Sequence, residues 1–291
     1  MQSRGGRRAM ILATRGSALA LSQADIVKKK LEALGISVQL LVVSTKGDRD
    51  RLGALKEIGG NGLFIRELEK KLLNGEADVA VHSGKDLPYM LAEGLCIGCV
   101  PDAADPRDCL IRLRKRTERP QPVIGTGSPR RMAEYAARNP EAVFRNIRGN
   151  IDTRLKKLEA GEYDGIILAA GGMERLSLSM DGYESRCFSV EEMIPAPCQG
   201  LLAVECRERD SATRKLLQKI NDAEAAKRFV AERMLFRRLK ADCTKAIGIH
   251  AVLTGNDLTF YVLSEGKRLA RKGTYQQLPA LCEEIYGELY G

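Results

Sequence analysis

The pair Lys85 and Asp86 stands in the octapeptide Val81-His82-Ser83-Gly84-Lys85-Asp86-Leu87-Pro88. The apolar run that begins at Asp78 predicts a short buried strand in front of it, and Pro88 prevents a helix from following. Strand ends of this kind face the ligand crevice of an open α/β sheet. We therefore predict that Asp86 takes part in chemistry and that Lys85 binds an anion. The alternative is a solvated surface pair, which contributes little to stability.

Arginines form a second chemical feature, because they recur at predicted strand ends. The strand at 123–127 leads into Ser128-Pro129-Arg130-Arg131, where Ser128 caps a helix and Pro129 begins it. Two cations in the first turn of a helix are unfavourable, so we predict an anionic ligand there. Arginines at similar junctions are Arg15 (beside Ser17), Arg148, Arg154 and Arg175. Guanidinium groups at such junctions favour small carboxylate or phosphate ligands.

Composition narrows the class of protein. The chain has 291 residues, of which 44% are hydrophobic, and a net charge of +9. This length accommodates two or three domains, and the charge indicates an anionic partner. The absence of tryptophan argues against a nucleic-acid binder that stacks bases. No apolar run reaches the roughly 20 residues of a membrane span or the length of a secretory signal, so we expect a cytoplasmic protein.

Eight cysteines are scattered along the chain, and most are expected to be buried free thiols. Cys96 and Cys99 match the spacing of a redox or zinc half-site. No second cysteine pair or nearby histidine completes a zinc set, and a redox pair would open a helix instead of lying in a strand. We therefore expect no metal site.

The periodicity predicts an α/β fold with two lobes, a cleft between them, and a small α+β domain at the C-terminus. The first lobe is expected over 9–101 plus 200–217, the second over 105–195, and the C-terminal domain over 220–291. A linker is predicted at 101–108 and a lid-like or plain loop at 47–62. The strand at 201–206 is expected to return to the first sheet.

Several motifs appear in one order along nearly the whole chain. They are Ala13 to Ala20, Gly62-Leu63-Phe64 with Glu67-Leu68-Glu69, Val81 to Pro88, Ser128 to Arg131, Arg148-Gly149-Asn150 with Thr153-Arg154-Leu155, and Gln199-Gly200 with Glu205-Cys206-Arg207. As an ordered set they resemble the porphobilinogen deaminase family. The resemblance implies two domains like the lobes of periplasmic binding proteins and a third that carries a dipyrromethane cofactor.

The resemblance also implies an activity and a set of residues. The cofactor would be joined through a thioether to Cys243, and the enzyme would act as a monomeric transferase of tetrapyrrole biosynthesis. It would join four porphobilinogen molecules head to tail, release ammonia each time, and yield hydroxymethylbilane. Asp86 would be the catalytic group and would stabilise the cationic azafulvene-like carbon that loss of ammonia leaves. The cofactor would be bound by Ser83, Lys85, Thr126, Ser128, Arg130, Arg131 and Arg148, and the substrate carboxylates by Arg15, Ser17, Arg148, Arg154 and Arg175. Gln199 would contact the cofactor or orient the hinge.

Five positions depart from the pattern expected of the family: Asn61, Gly84, Asp152, Cys198 and Asp242. We expect these changes to adjust the rate or the loading of cofactor without abolishing activity. Two other interpretations remain at this stage, a non-catalytic protein that binds an anionic metabolite and a nucleic-acid-binding protein.

Overall fold

The computed structural model describes residues 8–43, 60–116, 119–240 and 245–291, and for residues 60–64 it describes the backbone only. The chain divides into two compact units, residues 1–102 with 202–226, and residues 103–201 with 227–291. In the described part of the chain, no helix has both the length and the apolar character needed to cross a bilayer.

The elements follow one another along the chain in a largely alternating order. They are β1 (Met10–Arg15), α1 (Ala18–Glu32), β2 (Val38–Val43), α2 (Gly60–Leu73), β3 (Val79–Ser83), β4 (Leu95–Cys99), β5 (Asp108–Leu113), β6 (Val123–Gly125), α3 (Pro129–Ala136), β7 (Val143–Arg145), α4 (Ile151–Glu159), β8 (Gly165–Ala169), α5 (Ala170–Arg175), β9 (Tyr183–Cys187), β10 (Leu202–Arg207), α6 (Ser211–Leu217), α7 (Ala223–Arg238), β11 (Ile247–Thr254), β12 (Asp257–Ser264), β13 (Lys267–Thr274) and α8 (Leu278–Tyr290).

The first unit contains a five-stranded sheet in the order β2-β1-β3-β10-β4. β1 runs parallel to β2 and β3, whereas β10 runs antiparallel to β3 and β4. Buried residues such as Leu12, Val79 and Val204 form its core with α1, because a parallel sheet covered by helices is apolar along its strands. The predicted return of 201–206 to this sheet is confirmed.

The second unit contains a sheet with the same pattern, in the order β7-β6-β8-β5-β9. β6 is parallel to β7 and β8, and β5 is antiparallel to β8 and β9. The sequence analysis missed β5 and β9. Asp108 is the first residue of β5, so the linker predicted at 101–108 was one residue too long. β9 was missed because three of its five residues are exposed and polar, as befits an edge strand.

The C-terminal part of the second unit is the predicted α+β arrangement. β11, β12 and β13 form an antiparallel sheet, and its hairpin turns at Gly255. α7 and α8 pack against it through buried residues that include Leu235, Phe260 and Ile285. The α/β class with a small C-terminal α+β part is therefore confirmed. In α2, Gly60 to Gly62 are helical instead of part of the predicted loop, and the rest of that loop, 44–59, lies outside the described residues.

The cysteines differ from expectation at one pair. Cys96, Cys99, Cys198, Cys206 and Cys282 are free thiols, as predicted for most of the set. Cys109 and Cys187 are instead joined in a disulfide. They are direct neighbours on the antiparallel strands β5 and β9, which brings two sulfurs together across a sequence separation of 78 residues.

Reduction of this disulfide is expected to lower the free energy of unfolding. A loop of 78 residues corresponds to a chain-entropy stabilisation of about 4.5 kcal/mol. Urea unfolding of protein purified without reductant, measured with and without dithiothreitol, tests this. The double variant Cys109→Ala/Cys187→Ala is the control and should not respond to dithiothreitol. Equal thiol titres for denatured protein before and after reduction would contradict the prediction.

Candidate functional site

Asp86 lies in a short 3-10 turn formed by Gly84 to Asp86 at the end of β3. Leu87 anchors this turn, because its side chain is 1% exposed and its backbone N–H donates to the Gly84 carbonyl. Lys85 and Asp86 are half-buried, and Gly84 is buried. The turn therefore stands on a fixed base and carries a carboxylate and an ammonium group that solvent and ligands can reach.

A buried cluster of titratable side chains lies near this turn, on the strands β3 and β10 and on the helix α2. His82 Nε2 and Glu205 Oε2 are 2.9 Å apart, and both side chains are almost completely buried. Glu69 on α2 is also buried and accepts the backbone N–H of Ala92. Burial and the nearby carboxylate of Glu205 raise the pKa of Glu69, while the Ala92 N–H lowers it. Glu69 and Glu205 entered the sequence analysis only as members of motifs.

Four predicted hydroxyl groups each accept one N–H. Ser17 caps α1 and accepts from Ala20, and Ser128 caps α3 and accepts from Arg131. Ser83 accepts from the side-chain amide of Gln23, and Thr126 accepts from the backbone of Ser128. Each contact uses an oxygen lone pair, so the O–H hydrogen of each group is a donor suited to a carboxylate ligand.

Arg130 and Arg131 are held by a carboxylate of the protein itself. Arg130 donates from Nη1 to Asp108 Oδ2 at 2.7 Å, and Arg131 donates from Nη2 and Nε to Asp108 Oδ1 at 2.7 and 3.0 Å. Arg130 also donates to the carbonyl of Ile194, and Arg131 to that of Ile167. The anion predicted to offset these two cations is therefore Asp108, which lies on β5, the strand that the sequence analysis missed.

The charge around this pair is not balanced by Asp108 alone. Burial and the positive charge of Arg131 lower the pKa of Arg154. Arg154 donates from Nε to the Gly149 carbonyl, and Arg148 is exposed beyond the end of β7. Asp108 binds Arg130 and Arg131, and the buried carboxylate of Glu134 also interacts electrostatically with Arg130, whereas Arg154 lies in the field of the cation Arg131. An added anion near Arg154 would be favoured on electrostatic grounds.

The remaining predicted arginines occupy other strand ends. Arg15 is the last residue of β1 and is half-buried in the first unit. Arg175 ends α5 in the second unit and donates from Nη2 to the carbonyl of Gly200 at 2.7 Å. Gly200 has φ +86°, and a Cβ there would lie 2.5 Å from the Ala104 carbonyl oxygen, so only glycine fits.

Gln199 is buried next to the arginine pair. Its Nε2 donates to Asp108 Oδ1 at 3.0 Å and to the Pro106 carbonyl at 2.6 Å. Cys198, the residue before it, has φ +59°, which is a left-handed conformation that a non-glycine residue adopts at a cost. This geometry explains why glycine is the residue expected at position 198.

Most of the described thiols are poor nucleophiles because they are buried. Burial raises the pKa of Cys99 and Cys206 to about 12, and that of Cys282 to about 11. It raises the pKa of Cys198 well above its ordinary value. Since the thiolate is the reactive form, these four thiols are unsuited to bonding a cofactor. Cys243, together with Asp242, lies outside the described residues.

Asp108 is the site residue that reasoning from sequence missed most clearly. A signal was present, because an aspartate directly precedes the apolar run Cys109-Leu110-Ile111. A charged residue at the start of a buried strand requires a partner. The identity of that partner depends on an antiparallel strand insertion that local periodicity does not record.

Removal of the Asp108 charge is expected to destabilise the second unit. Asp108→Asn leaves Arg130 and Arg131 buried without their anion, which should lower the free energy of unfolding by about 3–5 kcal/mol. Asp105→Asn is the matched control, since the Asp105–Arg107 ion pair is partly exposed and should contribute less than about 1 kcal/mol. Urea unfolding of both variants checks this. Equal losses would contradict it.

Comparison with solved structures finds distant similarities. A double mutant of the VFT2 domain of Bordetella pertussis BvgS aligns at a TM-score of 0.44 and 13% identity, covering 73% of this chain and 86% of that one. The periplasmic sulfonate-binding protein SsuA of Methylobacillus flagellatus KT aligns at 0.43 and 13%, covering 78% and 67%.

Comparison of sequences finds closer relatives. Residues 10–215 match the family model described as "Porphobilinogen deaminase, dipyromethane cofactor binding domain". A porphobilinogen deaminase of Geobacillus sp. (strain WCH70) is 41% identical over 274 residues, which cover 91% of this chain and 88% of the relative. The matched region contains Asp86, Asp108, the arginines around it and Gln199. The chain therefore belongs to the porphobilinogen deaminase family of transferases, the enzymes of tetrapyrrole biosynthesis that use a dipyrromethane cofactor.

Proposed function

We propose that this chain joins four porphobilinogen molecules head to tail, with release of ammonia, to give hydroxymethylbilane on a covalently bound dipyrromethane. The observation that carries the proposal is the excess of guanidinium groups around Asp108 in a chain of this family. Arg130 and Arg131 share the buried carboxylate of Asp108, and Arg154, whose pKa is lowered by burial and by the positive charge of Arg131, adds a third cation nearby. Each pyrrole unit bears an acetate and a propionate, which are the anions that such a group binds best.

The residues of the second unit fit the carboxylates of the cofactor. Arg131 supplies positive charge and the Thr126 and Ser128 hydroxyls supply O–H donors to the cofactor, whereas Arg154 is assigned to the substrate. We also assign Arg148 to the cofactor carboxylates, because it is exposed and follows β7, an edge strand of the second sheet. Arg130 and Gln199 contribute indirectly, by donating hydrogen bonds that hold the carboxylate of Asp108. Arg175 is assigned to substrate carboxylates.

The residues of the first unit fit a catalytic role beside a bound substrate. When bound, dipyrromethane supplies the electron-rich pyrrole carbon that attacks. We propose that the carboxylate of Asp86 moves a proton at the pyrrole nitrogen and balances the positive charge that forms as ammonia leaves. Arg15 and Ser17 would orient the substrate carboxylates, and Ser83 and Lys85 those of the cofactor. The turn anchored by Leu87 limits how far Asp86 can shift.

Cys243 is the proposed attachment residue. Burial suppresses the thiolate at four of the described cysteines, and Cys109 and Cys187 are consumed in a disulfide. Cys96 is free, but its Sγ faces Cys206 Sγ at 3.9 Å inside the first unit. In the sequence Cys243 comes five positions after Arg238, the last residue of α7, and that helix packs in the C-terminal core.

The domain limits and the cellular setting are further parts of the proposal. We propose lobes at 9–101 plus 200–217 and at 105–195, a cofactor-carrying domain at 220–291, and a monomeric cytoplasmic enzyme that binds no nucleic acid. Sedimentation as a dimer would contradict the monomer. Salt-dependent binding of generic DNA would contradict the last point.

Substitution of Asp86 should remove catalysis and leave the cofactor. Asp86→Asn keeps the shape of the side chain but removes its charge and its basicity, so kcat should fall by roughly 10²–10⁴-fold. Ammonia release from porphobilinogen measures this. The control is Glu93→Gln, which changes an exposed carboxylate seven positions later in the same loop region and should keep a near-normal kcat. Retained turnover in Asp86→Asn would exclude Asp86 as the catalytic group.

Substitution of Cys243 should remove the cofactor. Intact mass spectrometry of the wild-type chain is expected to show an excess equal to two pyrrole units, and Cys243→Ser should lack it. Cys96→Ser is the matched control and should keep the excess mass. An excess that disappears with Cys96 and persists without Cys243 would assign attachment to the other thiol.

A further inference from the structure

Glu232 is a completely buried carboxylate that plays no part in the chemistry proposed above. It lies on α7, eleven positions before Cys243 and within the second unit. Its Oε2 accepts the backbone N–H of Cys198 at 2.5 Å, and its Oε1 accepts that of Ala251 on β11 at 3.0 Å. His250 Nδ1 lies 3.2 Å and Arg228 Nε 3.9 Å from Oε1. One side chain therefore ties together α7, β11 and the segment before Gln199.

The contact at Cys198 falls on a backbone position that is costly to maintain. Cys198 has φ +59°, and the side chain at this position is 1% exposed. A non-glycine residue in the left-handed region is destabilised by about 1–2 kcal/mol unless its surroundings hold it there. The carboxylate of Glu232 is such a restraint, because a charged acceptor makes a stronger hydrogen bond to the N–H than a neutral one does.

Gln199 connects the Cys198 peptide to the arginine pair. Gln199 directly follows Cys198, and its amide donates to Asp108 Oδ1, the same oxygen that receives Arg131. The same segment supplies the Ile194 carbonyl that Arg130 contacts. A shift of the 198 peptide would therefore move one donor away from Asp108 and change how Asp108 orients both arginines.

We propose that Glu232 is a positioning residue: by fixing the left-handed peptide of Cys198 it sets the Gln199 amide on Asp108, and Asp108 in turn orients Arg131, which we assign to the cofactor carboxylates, and Arg130. The inference rests on the proposed function, since it assigns Arg131 to those carboxylates. Because these arginines would hold the cofactor to which the substrate is added, the inference predicts an effect on KM for porphobilinogen, with the proton transfer at Asp86 unaffected.

The test measures KM and kcat for porphobilinogen in Glu232→Gln, which weakens the charged hydrogen bond to Cys198. We expect KM to rise about tenfold, the effect of losing one hydrogen bond to a charged group, while kcat changes less than about threefold. The cofactor mass should be retained. Ile285→Val, which removes one buried methyl group from the same core, is the control for general destabilisation and should leave KM unchanged.

A rescue experiment separates positioning from simple support of the fold. Cys198→Gly removes the cost of the left-handed conformation, so in the Glu232→Gln background it should return KM most of the way to the wild-type value. A KM that matches the Ile285→Val control, or one that Cys198→Gly fails to restore, would overturn the inference.

A second variant tests the inference if Glu232→Gln folds poorly. Glu232→Asp keeps the charge but withdraws the oxygen by one methylene, and it should raise KM in the same direction; an unchanged KM in folded Glu232→Asp would also overturn the inference. A wild-type chain without cofactor mass or ammonia release would instead contradict the proposed function itself, so the two failures are distinguishable.

Discussion

Asp108 has no exposed surface, yet its carboxylate receives donors from Arg130, Arg131 and Gln199. Three charged groups in a low-dielectric interior are stable only when their hydrogen bonds are nearly all made, because an unpaired buried charge costs several kcal/mol. The backbone carbonyls of Ile167 and Ile194 complete the set. This constraint fixes the positions of β5, β8, α3 and the segment before β10 relative to one another within the second unit.

The hydrogen bonds around Asp108 also bear on how the second unit would bind an anion. Buried guanidinium groups that already share one carboxylate have fixed orientations, which lowers the entropy lost when a ligand binds. Burial and the positive charge of Arg131 both lower the pKa of Arg154 nearby. A second anion is therefore favoured at a place where the protein has arranged donors in advance. The pyrrole carboxylates of the family's cofactor and substrate have the matching charge.

The five-stranded sheets of the two units have the same strand arrangement. Each sheet has three parallel strands, then one strand antiparallel to them (β10 or β5), then an edge strand antiparallel to that one; in each sheet the central strands are almost wholly buried. In the first unit a buried His82–Glu205 pair sits on the central antiparallel contact, and in the second unit Asp108 begins the equivalent strand, β5. Both units thus place a buried carboxylate where an antiparallel strand meets the parallel set.

The sequence by itself determined the elements and the family. Apolar periodicity predicted most helices and strands, the Ser128-Pro129 pair predicted the start of α3, and the ordered motifs indicated porphobilinogen deaminase. These features are local, so each is encoded within a few neighbouring residues. The sequence analysis predicted a ligand as the anion beside Arg130 and Arg131, but the structure shows Asp108 there. This contact is not encoded locally. Asp108 is 22 positions from Arg130 and 91 from Gln199, and only the antiparallel placement of β5 brings the three together. The left-handed backbone of Cys198 and its restraint by Glu232, 34 positions away, likewise depend on tertiary packing, because no local pattern records which distant carboxylate will reach a given N–H.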